Sequence, residues 1–488
     1  MAILRDILYK VALTEVIGKT SIEIDGLALN SNEVKSNYIF VATKGTQSDG
    51  HKYIDAAIDK GALAIVCEQI PEKLIKDVVY LKVKDSTLAL AVLAANFYNN
   101  PSHNIKLVGI TGTNGKSTIA TLLFQLFTGL GYKCGLISTI EYKIFNKVYP
   151  ATHTTPNVLR LNELLDEMVD IGCEYCFMEV SSHALAQQRV AEIKFSGGVF
   201  TNLSHDHLDF HKDFNDYLKA KKSFFDGLGD NAFALTNVDD KRGEVMLQNT
   251  KATKYTYALK SMADYKTRII ENALTGLHLR IDDVDLNTLL VGEFNAYNIT
   301  AVYATAILLQ ANKEQVLEQI STLIAAEGRF EYIYDKENNI IGIIDYAHTP
   351  DALKNVLETI SAIRTGNEKV ITVVGAGGDR DKAKRPKMAN IACELSDKVI
   401  LTSDNPRTEN IEDIIDDMME GLDPVQKKKV IRMGDRKEAI RTARILAEAG
   451  DIIGVYGKGH EKYQEINKVR HPFNDKEILL EIFKSHQV

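Results

Sequence analysis

A chain of 488 residues is too long for one hydrophobic core, so roughly two to four domains are expected. Hydrophobic residues at 45% and charged residues at 25% match an ordinary soluble globular protein. The 58 Lys+Arg against 66 Asp+Glu leave a net charge of −8, which argues against a chain built around nucleic acid or an anionic membrane, although a local basic cleft stays open.

The first residues, MAILRDILYK, meet charge too early for a secretory leader. No stretch of about 18 uninterrupted apolar residues is available to span a bilayer, so a cytoplasmic protein is expected. Cys67, Cys134, Cys173, Cys176 and Cys393 are few, odd in number and scattered, which fits a reducing compartment rather than a disulfide framework. Cys173 and Cys176 form a C-x-x-C. Cys176 lies inside the apolar run Tyr175–Met178 and no second Cys/His pair has suitable spacing, so buried packing is expected there rather than metal or redox chemistry.

Strand-like and helix-like segments alternate, which predicts α/β architecture with parallel sheets. LALAVLAANFY (88–98) reads as a helix that stops at Asn99-Asn100-Pro101-Ser102, a turn-rich break that sets the first domain boundary near 103. IKLVGIT (105–111) follows as an apolar strand feeding a glycine-rich turn. Buried strands are expected again at 134–140, 175–180 and 197–202, each ending in polar residues. Ligands of open α/β sheets bind at such carboxyl ends. A second break falls at Gly328-Arg329-Phe330. Beyond it, IGIIDYAH (341–348), VITVVGAGGDR (370–380) and DIIGVYGKGH (451–460) predict a separate doubly wound, Rossmann-like domain. The expected domains are therefore 1–103, 104–329 and 330–488.

Gly112-Thr113-Asn114-Gly115-Lys116-Ser117-Thr118 lies between a strand and the helical run IATLLFQLF. Glycines let the backbone curl so that its N–H groups face phosphate oxygens, and the helix N-terminus adds positive potential. Lys116 can bridge β- and γ-phosphates, and Ser117 or Thr118 can ligate Mg²⁺. The general P-loop places a glycine where this chain has Ile110, which weakens the case for a kinase or GTPase.

Further motifs follow in order: His153-Thr154-Thr155-Pro156, Glu179-Val180-Ser181-Ser182-His183, Thr201-Asn202-Leu203, His205-Asp206-His207-Leu208-Asp209, Tyr217 with Ala220-Lys221, Gly292-Glu293-Phe294-Asn295 with Asn298, Gly328-Arg329-Phe330-Glu331 and Asp345-Tyr346-Ala347-His348. Together with TGTNGKST they resemble the Mur ligases, which build the stem peptide of peptidoglycan, over residues of about 20 to 475. The resemblance implies three domains: an N-terminal one holding the UDP end of the substrate, a central P-loop-type ATPase and a C-terminal Rossmann-like domain bringing the amino acid. It also implies a cytoplasmic, ADP-forming acid–amino-acid ligase acting on small molecules, as a monomer. Asp404-Asn405-Pro406-Arg407 is similar to the motif of the diaminopimelate-adding branch. A lysine-adding relative, a D-alanyl-D-alanine-adding member or a folylpolyglutamate synthetase are the alternatives within the class. A dehydrogenase or regulatory P-loop module is the alternative outside it, and release of ADP with phosphate separates the two classes.

The resemblance assigns roles residue by residue. Glu179, His205 and Lys221, with Ser117, would surround Mg²⁺, and Lys221 matches the family lysine that reacts with CO₂ to a carbamate. A plain salt-bridging lysine is the alternative. A zinc set of His205, His207 and His211 with Asp209 is disfavoured, because the family uses this stretch beside Mg²⁺ and phosphate. Asn295 and Asn298, three apart on one helical face, would contact the nucleotide, or else cap the helix. Arg329 and His348 would reach the ATP phosphates and Asp345 the ribose. The UDP-sugar dipeptide would meet Leu29, Ser31, Thr46, Gln47 and Ser48, then His153, Thr154, Thr155, Ser181, Gln187 and Arg189. His153 stands where the family often has asparagine. Diaminopimelate carries one carboxylate more than lysine and needs an extra cation, for which Arg407 and Arg380 are the candidates. Asp404, Asn405, Pro406, Gly457 and Glu461 complete that set, with Glu461 facing the distal amine. Gly375-Ala376-Gly377-Gly378 alone is a weak dinucleotide motif, with no ribose-binding acid about 20 residues on.

Overall fold

The computed structural model describes residues 2–45, 48–204 and 210–485. Three main sheets follow one another along the chain. The first orders its strands Leu13–Ile17, Val79–Val83, Ala62–Cys67, Tyr38–Val41, Gly26–Ala28, parallel except at the first pair. The helix Ser86–Phe97 covers it with Leu90, Leu93 and Ala94 against Ile39, Val66 and Leu81. That helix starts ahead of the apolar run because Asp85 accepts hydrogen bonds from Thr87 N and Leu88 N, both at 2.9 Å. It ends where Asn99 and Asn100 turn left-handed before Pro101.

The central sheet has eleven strands. Its parallel core runs Cys134–Ile137, Tyr175–Glu179, Lys106–Thr111, Gly197–Phe200, Phe233–Asn237, Thr253–Ala258. These central strands are buried on both faces, as their unbroken apolar runs predict. One face is covered by the helices Lys116–Gly129 and Glu293–Leu308, the other by Val158–Ile171 and Phe214–Asp226. Antiparallel pairs close both edges: Glu141–Ile144 with Lys147–Pro150 on one side, and on the other Gly276–Ile281 and Val284–Thr288 beyond Tyr265–Ala273, which still pairs parallel with Thr253–Ala258. These antiparallel pairs depart from the parallel sheets that the alternation of segments predicts. The edge strands alternate buried with more exposed positions, as in Gly276–Ile281, and so leave no long apolar run.

The third sheet orders Glu331–Asp335, Ile340–Asp345, Ile452–Tyr456, Val370–Ala376, Lys398–Ser403, Val430–Arg432, antiparallel only at its first pair among the described residues. Apolar clusters line both of its faces. No helix among the described residues is long and apolar enough to cross a membrane.

Two features of this topology position the site. The chain leaves Lys106–Thr111 first to one side and later to the other, which makes its carboxyl end a topological switch point. In the third sheet, the loops after Asp345, Ala376, Ser403 and Tyr456 all leave the carboxyl edge.

Candidate active site

The loop after Thr111 is locked by its neighbours. Gly112 has φ +150°, and a Cβ there would lie 1.8 Å from Thr201 Oγ1. Thr113 N donates to Asn202 O at 2.8 Å, Asn114 N to Asn202 Oδ1 at 3.0 Å, and Thr201 Oγ1 to Asn114 O at 2.6 Å. Gly115, at φ +88°, is the N-cap of Lys116–Gly129, so the N–H groups of Lys116, Ser117 and Thr118 form the first turn of that helix, at its positive end. Lys116 Nζ donates to Gly112 O at 2.9 Å and Thr113 O at 2.7 Å, and Lys221 Nζ also reaches Gly112 O, at 2.8 Å. Two ammonium groups thus converge on one loop carbonyl.

Lys221 is 1% exposed and its Nζ lies 4.8 Å from the Tyr217 ring centre. Tyr217 OH shares a hydrogen bond of 3.0 Å with Thr113 Oγ1, tying the helix Phe214–Asp226 to the loop. Glu179, also 1% exposed, accepts Thr139 N at 2.7 Å through Oε1, and among the described residues Oε2 accepts nothing. A buried carboxylate with a spare oxygen, beside the neighbouring strand's loop with its Ser117 hydroxyl, is the hard-oxygen chemistry that suits Mg²⁺. Lys221 joins such a set only as an anion, which a carbamate would make it. His205, His207 and Asp209 lie outside the described residues. His211 is buried, with Nδ1 3.3 Å from Asp216 Oδ2, and the described residues contain no cluster of three His, Cys, Asp or Glu able to hold a metal.

The nucleotide candidates fall around the same loop. Asn298 Oδ1 is 2.8 Å from the point a Cβ on Gly115 would occupy, and Asn298 Nδ2 donates to Asn295 Oδ1 at 3.0 Å. Asn295 Nδ2 in turn donates to Val291 O at 2.8 Å. Both asparagines are buried in the first turn and a half of their helix rather than capping it, and Gly292 is the N-cap. Arg329 crosses between sheets: Nη2 donates to Ser117 Oγ at 3.1 Å, and the guanidinium lies 4.6 Å from the Tyr346 ring centre. Asp345 is buried, and both its oxygens accept backbone N–H groups, from Phe330 at 2.6 Å and Ala347 at 2.7 Å. Burial pushes its carboxyl up to about 6, against the pull of Arg329. His348 Nδ1 faces Tyr346 O at 2.9 Å. His460 packs on Tyr346, and burial with nearby Arg329 and Lys462 pushes its imidazole down to about 3, so it is neutral.

A second polar group lies beyond Glu179. Arg189 is held by Thr155 O at 2.7 Å and by Gln187 Oε1 at 2.6 and 2.9 Å. Thr154 Oγ1 accepts Thr139 Oγ1 at 3.0 Å, and Ser181 Oγ lies 3.4 Å from Thr155 Oγ1. His153 is exposed at its edge, and burial with Arg189 nearby lowers its imidazole. In the first domain, Ser31 is buried, Leu29 is half-buried and Ser48 Oγ donates to Tyr53 OH at 3.2 Å. Thr46 and Gln47 lie outside the described residues.

The third sheet builds its own polar cluster at its carboxyl edge. Arg407 is left-handed at φ +51° and donates through Nη1 to Gly378 O at 2.6 Å. Its chain is anchored by Arg407 N to Glu465 O at 3.0 Å. Asn405 Nδ2 donates to Glu461 Oε2 at 2.8 Å, and Lys458 Nζ donates to both Asn405 Oδ1 and Glu461 Oε2, at 3.0 and 3.1 Å. Gly457 has φ +115°, and a Cβ there would meet Asp404 Oδ2 at 2.5 Å. Pro406 packs its carbonyl where a Cβ on Gly378 would sit. Arg380 is exposed beside this group. Two residues outside the sequence reading hold the cluster's frame. Fully buried Arg385 ties Glu409, Asp417 and Gly377 O together. Fully buried Arg436 pairs with Asp475 at 2.7 Å and binds Ser403 O and Tyr456 O, where two strands end.

Family models match three successive stretches of the chain: Mur ligase family, catalytic domain, at residues 23–98; Mur ligase middle domain at 110–306; and Mur ligase, glutamate ligase domain at 328–459. The UDP-N-acetylmuramoyl-L-alanyl-D-glutamate–2,6-diaminopimelate ligase of Cytophaga hutchinsonii is 54% identical over 480 residues, which cover 98% of each chain. The protein of the same name from Phocaeicola vulgatus is 53% identical over 98% of this chain and 99% of its own. A solved structure of a ligase of that name superposes with a TM-score of 0.69 at 31% identity, covering 96% of this chain and 98% of the other. Matched over most of its length by these models and these relatives, the chain belongs to the Mur ligase family.

Proposed function

We propose that this protein joins meso-2,6-diaminopimelate to the D-glutamyl side chain of UDP-N-acetylmuramoyl-L-alanyl-D-glutamate, converting ATP to ADP and phosphate in the cytoplasm. The relatives at 54% and 53% identity carry that activity in their names. The observation that carries the reading to this chain is the cluster in which Arg407 stands beside the buried Asn405–Lys458–Glu461 network, at the same sheet edge as the junction residue Arg329. A guanidinium and a carboxylate on the neighbouring loops after Ser403 and Tyr456 suit the carboxylate and amine at the far end of diaminopimelate. Residues 1–103, 104–329 and 330–488 are the proposed domains, acting as one monomer.

The reaction requires two anions, the D-glutamyl carboxylate and the γ-phosphate, to approach each other. The carboxylate oxygen takes the γ-phosphoryl group and ADP leaves. The diaminopimelate nitrogen then attacks the acyl carbon, loses a proton and expels phosphate. Catalysis of this kind rests on positioning and charge neutralisation. Gly112 to Thr118 cradle the phosphates, Lys116 bridges them, and Asn295 and Asn298 face the nucleotide. Arg329 and His348 reach the phosphates from the junction. With both its oxygens engaged by backbone, Asp345 serves the ribose chiefly by holding Phe330 and Ala347 in place. Ser31, Ser48, Thr154, Thr155, Ser181, Gln187 and Arg189 line the path of the UDP-sugar dipeptide. Mg²⁺ held by Ser117, Glu179, His205 and carbamylated Lys221 would offset the meeting negative charges. Lys221→Ala should lose nearly all turnover; full activity without added bicarbonate would exclude the carbamate.

The test is phosphate release from ATP with the UDP-linked dipeptide and either meso-diaminopimelate or L-lysine. Release and tripeptide only with diaminopimelate are expected. Turnover only with lysine keeps the ligase and rejects the proposed amino acid.

A further inference from the structure

Lys458 takes no part in the reaction steps just described, yet it is fully buried within the polar cluster proposed to hold the amino acid. Its Nζ donates to Asn405 Oδ1 at 3.0 Å and to Glu461 Oε2 at 3.1 Å and lies 5.6 Å from the Tyr463 ring centre. Asn405 Nδ2 donates to the same Glu461 oxygen, at 2.8 Å, so the amide and the ammonium together fix the carboxylate. Glu461 has a second acid for a neighbour. Burial and then Asp404 push its carboxyl up, and Lys458 opposes both. Arg436 is committed elsewhere, since it forms a two-armed pair with Asp475 at 2.8 and 2.7 Å.

Removing this ammonium alone would leave the partly buried Glu461 carboxylate without its charged partner, so Lys458 supports the loop. Its charge also changes what the pocket accepts. Inside the cluster Asp404 and Glu461 bring two acids and Lys458 and Arg407 two bases, with Arg380 exposed outside it, so the charges there balance. A side chain ending in both an ammonium and a carboxylate preserves that balance, with its amine on Glu461 and its carboxylate on Arg407. A side chain ending in a lone ammonium upsets the balance and leaves the guanidinium facing nothing. Without Lys458 the same pocket would hold one extra negative charge, which a lone ammonium would satisfy.

We propose that Lys458 is a specificity-determining residue, whose fixed charge beside Glu461 makes the pocket accept a zwitterionic side-chain end and reject a bare cation. This rests on the diaminopimelate-adding reading above. It acts through Glu461, so it is a positioning residue rather than a catalytic one.

The experiment compares kcat/KM for meso-diaminopimelate and L-lysine in wild type, Lys458→Gln and Lys458→Met, with the UDP-linked dipeptide and ATP saturating. Both variants should lower the diaminopimelate-to-lysine ratio by about tenfold or more, chiefly through the two KM values. Equal losses on both amino acids, with the ratio unchanged, would mean that Lys458 only supports the loop and would overturn the proposal. Lys458→Gln keeps a hydrogen-bond donor for Asn405 and Glu461, so it tests the charge even where Lys458→Met fails to fold. The same substitution in a Glu461→Gln background should leave the ratio where Glu461→Gln alone puts it; an equal fall in both backgrounds also overturns the proposal. Absence of wild-type turnover with diaminopimelate rejects the substrate reading itself and this inference with it. Wild-type turnover with an unchanged ratio in the variants rejects Lys458 alone.

Discussion

Asp345 shows how a single buried acid ties the junction to pH. Its two oxygens hold Phe330 N and Ala347 N, just before and just after the antiparallel strand pair Glu331–Asp335 and Ile340–Asp345 that leads from the junction into the third sheet. Burial raises its carboxyl from 3.8 to about 6. The native state therefore keeps this proton after the unfolded chain has lost it, and the contribution to stability falls as pH rises. The loss begins near pH 3.8 and is complete above pH 6, where it amounts to about 3 kcal/mol. In urea unfolding of the C-terminal domain between pH 4 and 7, wild type should lose that much relative to Asp345→Asn. The variant sacrifices one hydrogen bond at every pH, so it is offset by a constant. A difference that does not vary with pH would show that burial does not control this group.

The loops of the third sheet depend on partners that sequence spacing hides. Arg385, fully buried on the helix Lys384–Leu395, binds Glu409 with both arms at 2.9 and 2.8 Å, Asp417 at 2.6 Å and Gly377 O at 3.1 Å. It holds the glycine loop after Ala376 against the loop after Ser403, and Arg385 is the main reason the Glu409 carboxyl sits down at about 2. Removing it leaves Glu409 to Lys382, at 3.3 Å, and takes the cation from Asp417, so Arg385→Met should destabilise the domain by about 1–3 kcal/mol. KM for the amino acid should rise about tenfold while KM for ATP stays put. A thermal melt and the two KM values check this, and equal changes in both constants would refute a local role. The same group shows what was legible beforehand. Apolar strands such as Lys106–Thr111 and Tyr175–Glu179, and short motifs such as Gly112–Thr118 or Asp404–Arg407, announce themselves because their residues act together within a few positions. Arg385 meets Glu409 across 24 residues and Arg436 meets Asp475 across 39, and no local pattern marks either arginine. Thr139, which fixes Glu179 from a turn 40 residues away, was equally silent. The antiparallel edges were missed because a strand with one open face has no continuous apolar run to reveal it.

At the scale of the whole molecule, ATP and the amino acid belong to different sheets, and the junction has to unite them. Three contacts do so. Gly328, at φ +66°, lets the chain pass so close to the 457–461 loop that a Cβ would lie 2.1 Å from His460 N. Lys462 pairs with Glu327 at 3.2 Å. Arg329 then places a guanidinium on the Ser117 hydroxyl, at the start of the phosphate-loop helix, with Tyr346 of the third sheet behind it. A cation placed this way is the last member to arrive at a phosphate site when the two sheets approach, and its value lies in the charge that develops there during transfer. Arg329→Met keeps much of the stem that covers Tyr346 but removes the guanidinium. ADP should still bind within a few-fold of wild type, because the loop, Asn295 and Asn298 lie on the central sheet's side. Turnover should fall by about 100-fold, since the lost interaction belongs to the transition state. Rapid-quench measurement of the first turnover separates the two cases. A slow first turnover with normal ADP affinity places Arg329 in the transfer step, whereas weak ADP binding with an unchanged first turnover at saturation would reduce it to a ground-state contact.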